Sequence, residues 1–138
     1  MEKISRNQEN FIIMTVIYDE LTDYTAGNSA FRDVNEIILQ ITDIPLKEHS
    51  AYVQNCIAST LSHYGEIVSA FQPHLRAWVW ERLPLLTRAV LLMSYAHFYY
   101  VEKIDKRIVI NVAVDLAKKY IEEKQAKFVN AILDEVLK

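Results

Sequence analysis

Apolar side chains recur every three to four positions along nearly the whole chain, the spacing of one helix face. Phe11, Met14, Tyr18 and Leu21 make a first stripe, widened by Ile13 and Ile17. Gly27-Asn28-Ser29 breaks it, and Asn28 or Ser29 can cap a second helix carrying Phe31, Val34, Ile38 and Ile41. Asp43-Ile44-Pro45 ends that helix, because the residue before a proline disfavours helical backbone. A long third helix is predicted from about Ser50 to Phe71, with Val53, Ile57, Leu61, Tyr64, Val68 and Phe71 inward. Pro73 and Pro84 suit the first turns of a short fourth helix and of a fifth. The fifth, which Tyr95, Tyr99 and Tyr100 end, is apolar nearly all round at Leu85, Leu86, Ala89, Val90, Leu91, Leu92, Met93 and Ala96, so Ala89–Met93 is expected to be the most buried stretch. Asp105 is a plausible cap for a sixth helix with Val109, Val112, Ala113, Leu116, Ala117 and Tyr120. A seventh carries Phe128, Val129, Ile132, Leu133, Val136 and Leu137. The pattern predicts an all-α bundle of about seven helices, folded as a single domain over residues 1–138.

Composition sharpens that picture. Two glycines and three prolines in 138 residues are too few for the turns of a sandwich or barrel. They also leave no Gly-rich phosphate loop. The polar start has no signal-peptide character, no apolar run is long enough for a membrane span, and one cysteine allows no internal disulfide. A reducing, cytoplasmic setting is the expectation. The net charge of −3 is unevenly spread. Residues 1–10 are neutral, residues 11–101 hold five bases and nine acids, and residues 102–138 hold eight bases and seven acids. That is not the footprint of a strongly basic nucleic-acid binder, although one basic face is compatible with it.

The candidate chemistry is sparse. His63 and Glu66 share a helix face, but no third ligand completes a metal site. His97 lies in the apolar helix and reads as a hydrogen-bonded core residue. Cys56 lies among apolar neighbours, inside a helix, and reads as an inert buried thiol. No nucleophile elbow is present. Neither a cofactor nor a small-molecule substrate is indicated, and no catalytic constellation stands out. Asn111 and Asn130 interrupt the last two stripes; they are expected to be buried amides tying helices together, or else polar contacts at the bundle surface. Trp78 and Trp80, two positions apart on the short fourth helix, face different ways, so that one fills the core and the other is left for a neighbour or a partner.

The C-terminal half is more specific than its composition. Trp80-Glu81-Arg82-Leu83 leads to Arg88-Ala89-Val90-Leu91 and Tyr95. Val109-Ile110-Asn111-Val112-Ala113-Val114-Asp115-Leu116-Ala117-Lys118 follows, and Lys127-Phe128-Val129-Asn130 opens the last helix. These blocks and their spacing resemble the NusB family of bacterial transcription antitermination factors, whose patterns read roughly A-I-N-E-A-V-E-L-A-K and K-F-V-N-G-V-L-D. Residues from about 50 to 138 carry the resemblance, and Val16-Ile17-Tyr18 matches the family's first helix.

The resemblance implies a two-lobed all-helical fold without catalysis. It implies binding of boxA-type single-stranded RNA together with the NusE ribosomal protein, in an RNA polymerase antitermination complex that supports ribosomal RNA synthesis. The candidate RNA-binding residues are Lys3, Arg6, Tyr18, Lys118, Lys127 and Phe128. Lys118, Lys127 and Phe128 stand at family motif positions, whereas Lys3 is chosen on charge and proximity alone. Three departures stand out. The family's arginine-rich start is reduced to Arg6, with Asn7, Gln8 and Asn10 beside it; Tyr-Glu-Leu in the fifth helix becomes Tyr95-Ala96-His97; and the glutamate of I-N-E becomes Val112. Loss of cationic phosphate contacts predicts weak binding to RNA alone. The alternative is a protein-interaction module of the same fold that has lost RNA binding.

Overall fold

Ser5 starts the first helix through a capping box: its hydroxyl accepts from the Gln8 N–H at 3.2 Å, and its own N–H donates to Gln8 Oε1 at 2.9 Å. In the computed structural model, which describes residues 4–28 and 30–138, seven α-helices and no strand are found among the described residues. They are α1 (Arg6–Thr25), α2 (Val34–Thr42), α3 (Ala51–Ser62), α4 (Tyr64–Phe71), α5 (Leu85–Ala96), α6 (Lys106–Tyr120) and α7 (Glu123–Val136). Helix α5 is central: it packs against α1, α3, α4, α6 and α7, while α2 packs against α1. Ala89, Val90, Leu91, Leu92 and Met93 are all buried, as the all-round apolarity of this helix requires. One connected cluster of buried side chains runs from Ile12 to Leu137.

The family-like Arg88 has a local explanation. It is buried, and its guanidinium donates to the carbonyls of Leu83 at 2.8 Å and Glu81 at 3.0 Å, tying down the 3-10 turn Trp80–Arg82. Asp105 caps α6 as expected, its carboxylate accepting from the Arg107 N–H at 2.9 Å. Lys106 donates to the Asp134 and Leu137 carbonyls at 3.0 and 3.3 Å, closing the C-terminal end of α7 against the start of α6.

Several expectations are corrected. Asp33, not Asn28, caps α2, so Phe31 precedes the helix; Ser29 lies outside the described residues. The long third helix is two. His63 leaves helical backbone (φ −110°, ψ 18°), its N–H and its Nδ1 both sit on the Ser59 carbonyl, at 3.1 and 3.0 Å, and helix-weak Gly65 follows. The segment at Pro73 is only a 3-10 turn, Gln72–His74, and not a fourth helix. Trp80 is nevertheless buried and Trp78 is 54% exposed, so the division of labour holds without the helix. Asn111 and Asn130 are both exposed. The inward stripes of α6 and α7 run through Ile110, Ala113 and Ala117 and through Ala126, Val129 and Leu133, which turns both asparagines to solvent.

Two buried groups behave as local chemistry dictates. Burial pushes the Cys56 thiol up to about 12, which keeps it protonated and unreactive. Glu20 falls on the inward face of α1 and is fully buried. Its Oε1 accepts from the Arg32 N–H at 2.7 Å, whereas Oε2 has no hydrogen-bond partner among the described residues. Burial pushes its carboxyl up to about 7.

Candidate nucleic-acid interface

The first turn of α1 joins the start of α3 through polar contacts. Buried Asn10 accepts from the Tyr52 hydroxyl, and buried Glu9 accepts from the Ser50 hydroxyl. Arg6 lies over the Tyr52 ring, 3.7 Å from its centroid, and pairs with Glu9 at 3.4 Å and Glu102 at 3.3 Å. Glu102 also meets buried His97 at 3.2 Å. Burial lowers the His97 pKa against the pull of Glu102, which favours the neutral ring. His97 opens a π turn, His97–Val101, closed by the Glu102 N–H donating to the His97 carbonyl at 3.1 Å. Arg6 is therefore held from three sides by its own protein.

Next to this closed end, α1 and α6 leave an open groove of about 190 Å³. Asn7, Gln8 and Phe11 line it from α1; Asp115, Lys119 and Tyr120 line it from α6. Phe11 and Tyr120 are 37% and 43% exposed, yet their ring centroids lie 4.8 Å apart at 44°. The pairing is a tilted aromatic contact with both rings still reachable from solvent.

The corner between α6 and α7 carries Lys118, Lys119, Lys124 and Lys127, all exposed. None of the four forms an ion pair among the described residues. Further along α7, half-buried Phe128 faces Trp78 across a shallow hollow of about 510 Å³. The basic side chains of that hollow are already engaged: Glu135 receives Arg76 and His74, each at 3.3 Å. Arg76 holds this position from left-handed backbone (φ 55°), an uncommon conformation for a long side chain.

The residues proposed from sequence are thus dispersed. Lys3 lies outside the described residues. Arg6 is internally paired. Tyr18 is half-buried, two turns beyond Phe11 on the same face of α1, and packs against the core. Lys118 and Lys127 share the α6–α7 corner, and Phe128 opens onto a different hollow. The groove residues Phe11, Tyr120 and Lys119 escape the sequence reading. Their signal is there in part: Phe11 and Tyr120 both sit at apolar-stripe positions near helix ends, where a core has little left to cover them.

Comparison with known proteins places this arrangement. A family model described as the NusB family matches residues 12–138. The chain belongs to the NusB family. A relative from a Nitratiruptor species, named transcription antitermination protein NusB, is 30% identical over 97% of this chain and 92% of its own length. The structure of T. maritima NusB superposes with a TM-score of 0.81 at 21% identity, covering 99% of this chain and 92% of that one. A crystal structure of antitermination factors NusB and NusE in complex with dsRNA gives 0.72 at 23% identity, covering 97% and 98%. The all-α NusB fold is therefore shared across the chain, and the NusB-like C-terminal blocks fall on the 3-10 turn Trp80–Arg82 and on α5, α6 and α7. No helix of the described residues is long and apolar enough to cross a membrane.

Proposed function

We propose that this chain is a transcription antitermination factor that binds boxA-type single-stranded RNA together with the NusE ribosomal protein and, with RNA polymerase, supports ribosomal RNA transcription. The observation that carries this reading is the NusB family match over residues 12–138. A solved complex of NusB with NusE and RNA shares the fold. The chain acts as a single domain in the cytoplasm, as a binding factor and not as an enzyme; the connected core supports the first point, and the inert Cys56 fits the last.

The exposed lysines of the α6–α7 corner supply phosphate contacts, with Lys118 and Lys127 in that role. Phe128 offers a ring for stacking, and Tyr18 supports the α1 face. Arg6 stands on the N-terminal side of the same interface, where sharing with Glu9 and Glu102 weakens its pull on a phosphate, and Lys3 is a candidate for a further phosphate contact on its charge alone. RNA bound by this chain alone is accordingly held weakly. The acidic balance of residues 11–101, net −4, suits a basic protein partner that supplies the missing contacts.

A titration of labelled boxA-type RNA with and without NusE, at two salt concentrations, tests the reading. Tight, salt-dependent binding with NusE present is the expected result. The interaction-only alternative is favoured by one observation, the engagement of Arg6; NusE binding without any gain in RNA affinity would establish it.

A further inference from the structure

From the groove between α1 and α6, we infer a base-reading subsite for single-stranded RNA, in which the Phe11–Tyr120 pair stacks one base and Asp115 selects a base carrying an exocyclic amine. The inference rests on the RNA-binding reading above and deepens it. At about 190 Å³ the groove is smaller than the ~300–1,000 Å³ typical of small-molecule pockets. It is open along its rim, so it suits a flat group laid against the two rings rather than an enclosed ligand. Its polar lining points the same way. Asn7 presents an amide, which pairs with base edges as donor and acceptor, while the Oε1 of Gln8 already accepts from the Ser5 N–H. The Asp115 carboxylate is a pure acceptor when ionised: it repels phosphate and accepts from the amine of cytosine or adenine. Lys119 is the one cation in the lining among the described residues, and it joins the groove to the lysine corner beside it. A strand whose phosphates follow Lys118, Lys119, Lys124 and Lys127 therefore meets the aromatic pair at the end of that track.

The arginine-rich start of the NusB-like pattern is reduced here to Arg6, with neutral Asn7, Gln8 and Asn10 beside it, so the groove trades phosphate attraction for reading of the base. The consequence is measurable as a separation of two quantities. Phe11→Ala and Tyr120→Ala should each weaken RNA binding by about 5- to 150-fold, the range of one stacked base, without changing the salt slope. Lys119→Ala should lower the slope by about 0.7. Tyr120→Phe keeps the ring and should bind as the wild type does.

Anisotropy titrations in the presence of NusE, with boxA-type RNA and with equal-length oligo(C) and oligo(U), make the test. The two pyrimidines stack alike and differ at the edge that Asp115 would read, where cytosine offers its amine and uracil a single ring N3–H. Wild type should prefer oligo(C), and Asp115→Asn should erase the preference. Equal affinities of Phe11→Ala, Tyr120→Ala and wild type for boxA-type RNA, or no preference between oligo(C) and oligo(U), would overturn the subsite while leaving RNA binding intact. Absence of RNA binding by the wild type, with NusE bound, would overturn the subsite and the RNA reading together. Phe11 and Tyr120 are partly exposed, so unchanged circular dichroism of the variants separates lost stacking from lost fold.

Discussion

The two ends of α1 carry buried acids in opposite states. At the amino end, Glu9 has the Ser50 hydroxyl and Arg6, and Arg6 in turn has Glu102 and the Tyr52 ring. At the carboxyl end, Glu20 has one backbone N–H and an orphaned oxygen, while the nearby Arg32 guanidinium is spent on Asp23 at 3.0 Å. One end satisfies its charges within the fold; the other leaves a carboxyl that is easier to keep neutral. The lesson is that the number of charges in a segment says little about the charge available to a ligand. Arg6 is a cation without much to offer RNA, and the α6–α7 lysines, less conspicuous in the sequence, are the ones that face solvent unpaired among the described residues.

The largest effect is expected at the unsatisfied end. The folded pKa of Glu20, about 7, lies above its unfolded value of about 4.3, so the folded state holds this proton more tightly. The stability it contributes is fully present below about pH 4 and is lost as pH rises through 7. Glu20→Gln keeps an acceptor for the Arg32 N–H and cannot ionise. It should stabilise the protein by about 1–3 kcal/mol at pH 8 and by much less at pH 5. Urea unfolding at both pH values checks this; equal gains at the two would show that Glu20 is ionised in the fold throughout.

At the satisfied end, Tyr52→Phe removes the hydroxyl that donates to Asn10 and strands a buried amide oxygen. A loss of about 1–2 kcal/mol is expected in the same unfolding assay, with the RNA salt slope unmoved. Arg6→Ala is milder, because its ion pairs are half in solvent: about 0.2–1 kcal/mol of stability and only a small change in RNA affinity. A large drop in RNA affinity would mean that Arg6 leaves Glu9 and Glu102 to meet a phosphate. Smallest in stability is the double replacement Lys118→Ala with Lys127→Ala, expected within about 0.5 kcal/mol of wild type. Its effect belongs to binding, where the salt slope should fall by about 0.7 per lysine.

Much of the fold was legible in the sequence because α5, α6 and α7 announce themselves locally: all-round apolarity, a capping Asp105, and an apolar residue every three or four positions. The break at His63 was not legible, since it depends on a side chain folding back on the Ser59 carbonyl rather than on a proline or a run of glycines. Asn130 misled because its neighbours Val129 and Ile132 are inward, and a rotation of 100° per residue is enough to expose the position between them. Of the candidate interface, the lysines were visible as charges in a motif. The pairing of Arg6 with Glu102, 96 residues away, and the meeting of Phe11 with Tyr120 are products of tertiary packing that no local pattern encodes.

The π turn after α5 has a consequence for how the protein tolerates change. A turn closed between residues five apart holds one residue more than its α-helical neighbours, so the helix changes phase as it passes through His97–Val101. The turn ends the helix, because Glu102 is already extended (φ −139°, ψ 144°). The extra residue sets where Glu102 leaves the helix, beside the His97 ring and, from there, Arg6. Loss of a single residue here would carry Glu102 about 100° around the helix axis, away from both partners. The non-helical residues before α6 would absorb the change in length, so its cost falls on this contact network and not on the helices downstream.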